Sequence, residues 1–279
     1  MRKALFAALM LCAATLAAQD IIYEKSDSIF VTEIINKKQP THKSSDLTLH
    51  IAREFLGKKY TSGTLDSHNG EPLVINCREL DCTTFVETVL ALVVTIKQDE
   101  KSFEDFCRNL QTIRYRNGKR DGYASRLHYI SWWITDSAKK GIVHEATRCA
   151  HSRPLPLNLY YMSRNAALYP QLKGDSCLVT LIEKEEKPFR GITTEYIPKE
   201  ELHRGRNALP IADGDIVALV TNIEGLDVVH IGFALWRGEK LHLLHASSGE
   251  GKVIEDSKSL YDYQKNKKKQ TGIRVFAIE

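Results

Sequence analysis

Beyond residue 16, no apolar run in this 279-residue chain approaches the ~20 residues that a membrane-spanning helix needs. No Cys-x-x-Cys redox pair, zinc ribbon or His-Glu-x-x-His motif occurs, so a metal hydrolase is a weak reading and no cofactor or metal is called for. Charge of one sign is scarce too. Thirty-nine basic against 35 acidic side chains leave only +4, too little to argue for nucleic acid, and the one basic run, over 265–269, reads as a solvated loop. Neither an internal repeat nor a low-complexity segment is visible, which excludes repeat architectures. What remains, 43% apolar and 27% charged, is the composition of an ordinary soluble globular protein.

The N-terminus does carry an address. Arg2 and Lys3 form a basic start, 4–16 is apolar, and Ala17 and Ala18 supply small residues before Gln19 and Asp20. This reads as a secretory signal peptide over 1–18, cut after Ala18, with periplasmic or secreted destination. Cys12 raises a lipoprotein alternative, against which stands the bulky Leu11 before it. Five cysteines then remain: Cys77, Cys82, Cys107, Cys149 and Cys177. An odd number in an oxidising compartment leaves at least one thiol unpaired, and pairing among the others stays open.

Helical spacing is expected over 20–36 and 46–56, the second stopped by Gly57, and continues over 103–110. Short strands are expected around 177–182 and 196–197. From Ile211 the texture turns to β, with strands at 216–220, 228–235, 241–246 and 272–278. Connections this short require mostly antiparallel pairing. Helices first and a sheet afterwards give an α+β class, read as one domain over 19–279.

Cys82 opens a helix whose apolar positions Phe85, Val86, Val89, Leu90, Leu92, Val93 and Ile96 recur at helical spacing up to Lys97. A thiol there feels the positive end of the helix dipole, which favours the nucleophilic thiolate. A lone cysteine is more often a buried structural residue, so the assignment depends on partners. A catalytic thiolate needs a base and a group that orients it. His230 stands in an otherwise apolar strand, with His245 on the next. If residues 237–240 form a hairpin with a two-residue loop at Gly238 and Glu239, paired residue numbers sum to 477. His245 then lies opposite Gly232, and His230 is its diagonal neighbour on the same face, whereas His242 points away. A three-residue loop would separate the two imidazoles.

The segments 56–63 (Leu-Gly-Lys-Lys-Tyr-Thr-Ser-Gly), 81–86 (Asp-Cys-Thr-Thr-Phe-Val), Gly214-Asp215, His230-Ile-Gly-Phe and His245-Ala246 form an ordered set that resembles the NlpC-type cell-wall hydrolases, which have a papain-like fold. Two features depart from compact members: Thr83-Thr84-Phe85 stands where Ser-Gly is usual, and a long insertion, about 99–210, separates Cys82 from Gly214. With Ser125, Arg126, His128, Tyr129 and the Trp pair, that insertion resembles the NlpC-related amidase family of Bacteroides-type bacteria.

The resemblance implies an N-acetylmuramoyl-L-alanine amidase acting on soluble muropeptides, particularly 1,6-anhydro ones. Cys82 would be the nucleophile, His230 the base and His245 its orienter, with Tyr60 helping to hold the oxyanion. Asp81, Ser125, Arg126, His128 and Trp132 would contact substrate, though Asp81 has a helix cap as its alternative role, and Trp132 a place in the core. A monomer is expected. A γ-D-glutamyl-diamino-acid endopeptidase of the same chemistry and a catalytically inactive wall-binding protein remain open.

Overall fold

The computed structural model describes residues 21–41 and 43–279, so the signal-peptide expectation over 1–18 and Cys12 lie outside the described residues. The chain opens with a short strand β1 (Ile21–Ile22), where a helix was expected, followed by α1 (Lys25–Asn36) and α2 (Ser44–Arg53). β1 pairs in parallel with β3 (Leu73–Val74), and β2 (Lys59–Tyr60) pairs in parallel with β4 (Glu79–Leu80). The spacing that begins at Cys82 folds as α3 (Cys82–Lys97), with Phe85, Val86, Val89, Leu90, Leu92 and Val93 at 0–1% exposure. Each such side chain contributes roughly 1.5–3 kcal/mol relative to the exposed state, so α3 is the spine of the larger core.

The segment after α3 holds α4 (Phe103–Arg114), α5 (Ile130–Lys139), β5 (Val143–Glu145), β6 (Arg153–Asn158), α6 (Tyr161–Arg164), α7 (Ser176–Glu186) and β7 (Arg190–Pro198). The strand expected around 177–182 is therefore a helix. Its run of Leu178, Val179, Leu181 and Ile182 imitates a strand, but Asp175 caps it by accepting the Leu178 N–H at 2.8 Å. The C-terminal half follows the expected strands: β8 (Ile216–Thr221), β9 (Val228–Arg237), β10 (Lys240–Ser247), an unanticipated β11 (Lys252–Glu255), α8 (Leu260–Gln264) and β12 (Gln270–Ile278).

Ten strands form one mostly antiparallel sheet in the order β4-β2-β11-β10-β9-β8-β12-β7-β6, with β5 also on β12. One face, through Ile216, Ala218, Ile231, Phe233, Leu244 and Ala246, packs with α3 in the larger core. The other, through Val217, Leu219, Ala234, Leu241, Leu243 and Val275, joins a second core with Leu202, Leu209 and Leu260. No helix among the described residues is long and apolar enough to cross a membrane.

Candidate active site

The hairpin between β9 and β10 has the two-residue loop, with Arg237 opposite Lys240 and the register held to Phe233–Leu244. Extended one step, it sets His245 beside Gly232 with His230 diagonal on the same face. His230 Nε2 and His245 Nδ1 lie 2.6 Å apart, their ring planes nearly perpendicular at 82°. Gly232 permits this approach, because a Cβ there would stand 2.8 Å from the His245 Cβ and 3.0 Å from the Leu244 carbonyl oxygen. On its other side β9 carries a bulge against β8, between the pairs Leu219–His230 and Val220–Val228, which re-aims the end of the strand. His242 turns away and donates from Nδ1 to the Asp256 carbonyl at 3.0 Å.

Beyond Leu244 the β9–β10 ladder ends, and there the start of α3 arrives: the Ile231 N–H is near enough to the sulfur of Cys82 to favour its thiolate. The sulfur thus lies beside the backbone that carries His230. Asp81 is the helix cap. Its Oδ1 accepts the Thr84 N–H at 2.8 Å, and its own N–H donates to Thr84 Oγ1 at 2.9 Å. The Thr83-Thr84 departure has a physical role here, Thr84 closing the cap and the Thr83 hydroxyl favouring the Cys82 thiolate.

The electrostatics reverse one expectation. Burial, and then the adjacent Asp81 carboxylate, push the Cys82 thiol up to about 12, outweighing hydrogen bonds from Ile231, Thr83 and its own N–H. His230 moves the other way, down to about 3, because burial and then the neighbouring His245 and Lys267 oppose its protonation more than Asp256 favours it. At neutral pH, the resting site holds an uncharged thiol and an uncharged imidazole. Tyr60 pairs with Leu80, one residue before the Asp81 cap. Burial first, then the Cys82 and Asp81 charges, push its phenol up to about 12, which puts the ring within electrostatic reach of both.

Two further groups complete the cluster. Asp256 Oδ2 lies 3.4 Å from His245 Nε2, longer and less well aligned than a full hydrogen bond. Burial disfavours the Asp256 carboxylate, but the His245 imidazole and the Lys258 N–H outweigh it and hold its pKa below the ordinary value. Tyr263 stands edge-on to His245 at 5.8 Å, and burial, then the Asp256 and Cys82 charges, raise its phenol. Sequence reasoning passed over Asp256 because it passed over β11. The glycine-bearing turn at 248–251 followed by Val253 and Ile254 was the available signal.

The substrate contacts expected in the insertion are otherwise engaged. Arg126 forms a two-pronged ion pair with Glu71 at 2.7 and 2.8 Å and a third contact with Asp66 at 2.7 Å. With its side chain 11% exposed, it is a clamp on the loop after Tyr60. Trp132 is 1% exposed and belongs to the core beside Tyr129. Ser125 Oγ is spent within its own turn, on the Asp121 N–H and the Gly122 carbonyl. His128 donates from Nε2 to the Tyr123 carbonyl at 2.8 Å, and burial together with the Arg126 charge lowers its pKa to about 3. Asp81 has one carboxylate oxygen committed to the cap.

Two clefts border outer members of the cluster or their chain neighbours. A cleft of about 420 Å³ is lined by Ser247, Glu250, Asp256, Tyr263 and Lys267. Another of about 460 Å³, next to Tyr60, is lined by Thr61, Gly63, His68, Asn76 and Arg78. Among the described residues no group of three or more His, Cys, Asp or Glu side chains is arranged to hold a metal ion, and all five cysteines are free.

Residues 50–273 match the family described as AmiA-like, N-acetylmuramoyl-L-alanine amidase-like. Among solved structures, an N-acetylmuramoyl-L-alanine amidase from Bacteroides uniformis is 41% identical with a TM-score of 0.80, over 85% of this chain and 99% of that one. A Bacteroides fragilis protein provisionally named a xylanase is 44% identical with a TM-score of 0.76, over 82% and 100% of the two chains. A Legionella pneumophila protein, LPG0564, shares the fold at 24% identity and a TM-score of 0.66, over 91% and 94%. Among curated proteins no sequence matches.

Proposed function

Because this chain belongs to the AmiA-like, N-acetylmuramoyl-L-alanine amidase-like family, we propose that it is a cysteine amidase of peptidoglycan turnover. Its substrate would be a soluble muropeptide, particularly a 1,6-anhydro one, cut between the muramic acid lactyl group and L-alanine. The observation that carries this reading is the meeting of Cys82, at the first turn of α3, with the β9 backbone that presents the His230–His245 pair.

The chemistry follows from the charges. Since thiol and imidazole both rest uncharged, His230 takes the thiol proton as the sulfur attacks the lactyl carbonyl carbon. The oxyanion that forms is met by the Cys82 N–H, at the positive end of α3, and by the Tyr60 hydroxyl. His230 then returns the proton to the alanine nitrogen, the C–N bond breaks, and the peptide leaves a thioester on Cys82. Water, deprotonated by His230, attacks that thioester and frees the muramoyl acid and the thiol.

This reading places the chain among the NlpC-type hydrolases with a papain-like arrangement, as one catalytic domain over 19–279 with an insertion at about 99–210. An exported monomer is part of it, given the signal-like 1–18. Glycoside hydrolysis fits less well, since it needs two carboxylates facing the scissile bond. Here Asp81 caps a helix and Asp256 sits behind His245. The test is to incubate purified protein with a defined anhydro-muramoyl tetrapeptide and weigh the products. Free sugar acid plus a tetrapeptide beginning with L-alanine is expected. Cleavage between D-glutamate and the diamino acid would make it an endopeptidase, and an intact substrate a wall-binding protein.

A further inference from the structure

Two imidazoles in series raise a question of proton placement. For His230 Nε2 and His245 Nδ1 to bond at 2.6 Å, one nitrogen must carry a hydrogen and the other a lone pair. If His230 carries its hydrogen on Nε2, its Nδ1 is bare and can take a proton from a thiol. If His245 donates instead, His230 is protonated on Nδ1 and is no base on that side. The pair alone does not choose.

Asp256 supplies the choice. Its N–H donates to the Leu243 carbonyl at 2.8 Å, and its carbonyl accepts from His242 Nδ1 and Arg237 at 3.0 Å each, so its backbone is fixed to β10 and the end of β9. Lying opposite Leu243, it shares the face of His245 by the alternation of strands. Oδ1 is taken by the Lys258 N–H at 2.8 Å, which leaves Oδ2 facing His245 Nε2 at 3.4 Å. His245 is fully buried, and its Nε2 has no better-directed partner among the described residues.

We propose that Asp256 is a positioning residue that sets the tautomers of both histidines. A carboxylate only accepts, so it holds the hydrogen of His245 on Nε2. His245 Nδ1 must then accept from His230 Nε2–H, and His230 Nδ1 is left with its lone pair. When the Cys82 S–H proton moves to that nitrogen, His230 becomes an imidazolium that keeps its Nε2–H on His245. The carboxylate two rings away stabilises that charge without itself taking a proton. The proposal rests on the reading of His230 as the base.

Asp256→Asn and Asp256→Ala separate this role from a structural one. Asparagine can turn its NH₂ toward His245 Nε2 and force the opposite tautomer on both rings, whereas alanine removes the bias and leaves a mixture. Long-range ¹H–¹⁵N spectra of histidine-labelled protein, taken without substrate, should show Nε2–H on both residues in the parent, Nδ1–H on both in Asp256→Asn, and a mixture in Asp256→Ala. Turnover should fall about 10³–10⁴-fold in Asp256→Asn, on the scale of a tautomer-inverting change, and about tenfold less in Asp256→Ala. Unchanged spectra, or the asparagine variant milder than the alanine one as simple loss of shape predicts, would overturn the proposal. The spectra need no turnover, so an enzyme inactive on muropeptides yet showing the tautomer switch would count against the amidase reading alone.

Discussion

Gly232 shows how little space the His230–His245 pair leaves at single positions. Replacing it with alanine would drive a methyl group into His245 Cβ and the Leu244 carbonyl. Both belong to β10, so the strand rather than a flexible side-chain end has to move, and His245 moves with it. Gly232→Ala should lower kcat/KM by about 10²-fold, the cost of displacing a catalytic group by roughly 1 Å. Denaturant titration should show only about 1–3 kcal/mol lost to overpacking. Full activity would mean that the 2.6 Å contact between the imidazoles does not matter. That contact was legible in the sequence, because a two-residue hairpin fixes its register over a few residues. The internal partners of the side chains expected to contact substrate were not legible, for the opposite reason. Arg126 is of a type that binds anions, but its anions are Glu71 and Asp66, 55 and 60 residues away, and nothing local announces them.

The helix that presents Cys82 is held from both ends of its first turns. The Asp81–Thr84 box fixes where it starts, and Glu87, 4% exposed at the side chain, meets Arg114, 2% exposed, at 2.6 Å. Arg114 also donates to the Val74 carbonyl at 2.6 Å, so α3, α4 and β3 meet at one buried ion pair. Burial raises the Glu87 carboxyl while Arg114 pulls it back. Removing one partner leaves the other charge uncompensated. Glu87→Gln should cost about 3–5 kcal/mol by chemical denaturation, while replacing both by apolar residues of similar volume should cost far less. An exposed-pair value below 1 kcal/mol for the single change would contradict this account. At this scale α3 and the late strands were readable from periodicity. β11 and the character of α7 were not: β11 is only four residues long, and α7 buries only Ile182 and Glu186.

Across the whole molecule, burial of ionisable groups shapes the dependence of stability on pH. His128 and His230 titrate near 3 in the folded chain against an ordinary 6.5. As pH falls below 6.5 the unfolded chain takes up protons that the folded chain refuses, so stability is full above 6.5 and is lost toward 3. Asp215, raised by burial to about 6, works against this over part of the range. Cys82 and Cys107 are both raised to about 12 from 9, chiefly by burial. Above pH 9 the folded chain therefore keeps protons that the unfolded one releases, and stability falls again. Thermal unfolding should show a Tm maximum between pH 6.5 and 9. His128→Gln should flatten the acid limb, and an unchanged limb would remove His128 from the explanation.

The central claim is that the Cys82 sulfur bonds to the lactyl carbonyl of a muramoyl peptide. It is tested by acid-quenching the enzyme during turnover of an anhydro-muramoyl tetrapeptide, digesting it, and weighing the peptide that contains Cys82. The account predicts an adduct with the mass of the anhydro-muramoyl acyl group on that peptide, absent in Cys82→Ala. A peptidyl acyl group on Cys82, or the sugar acyl group on any other residue, would contradict it.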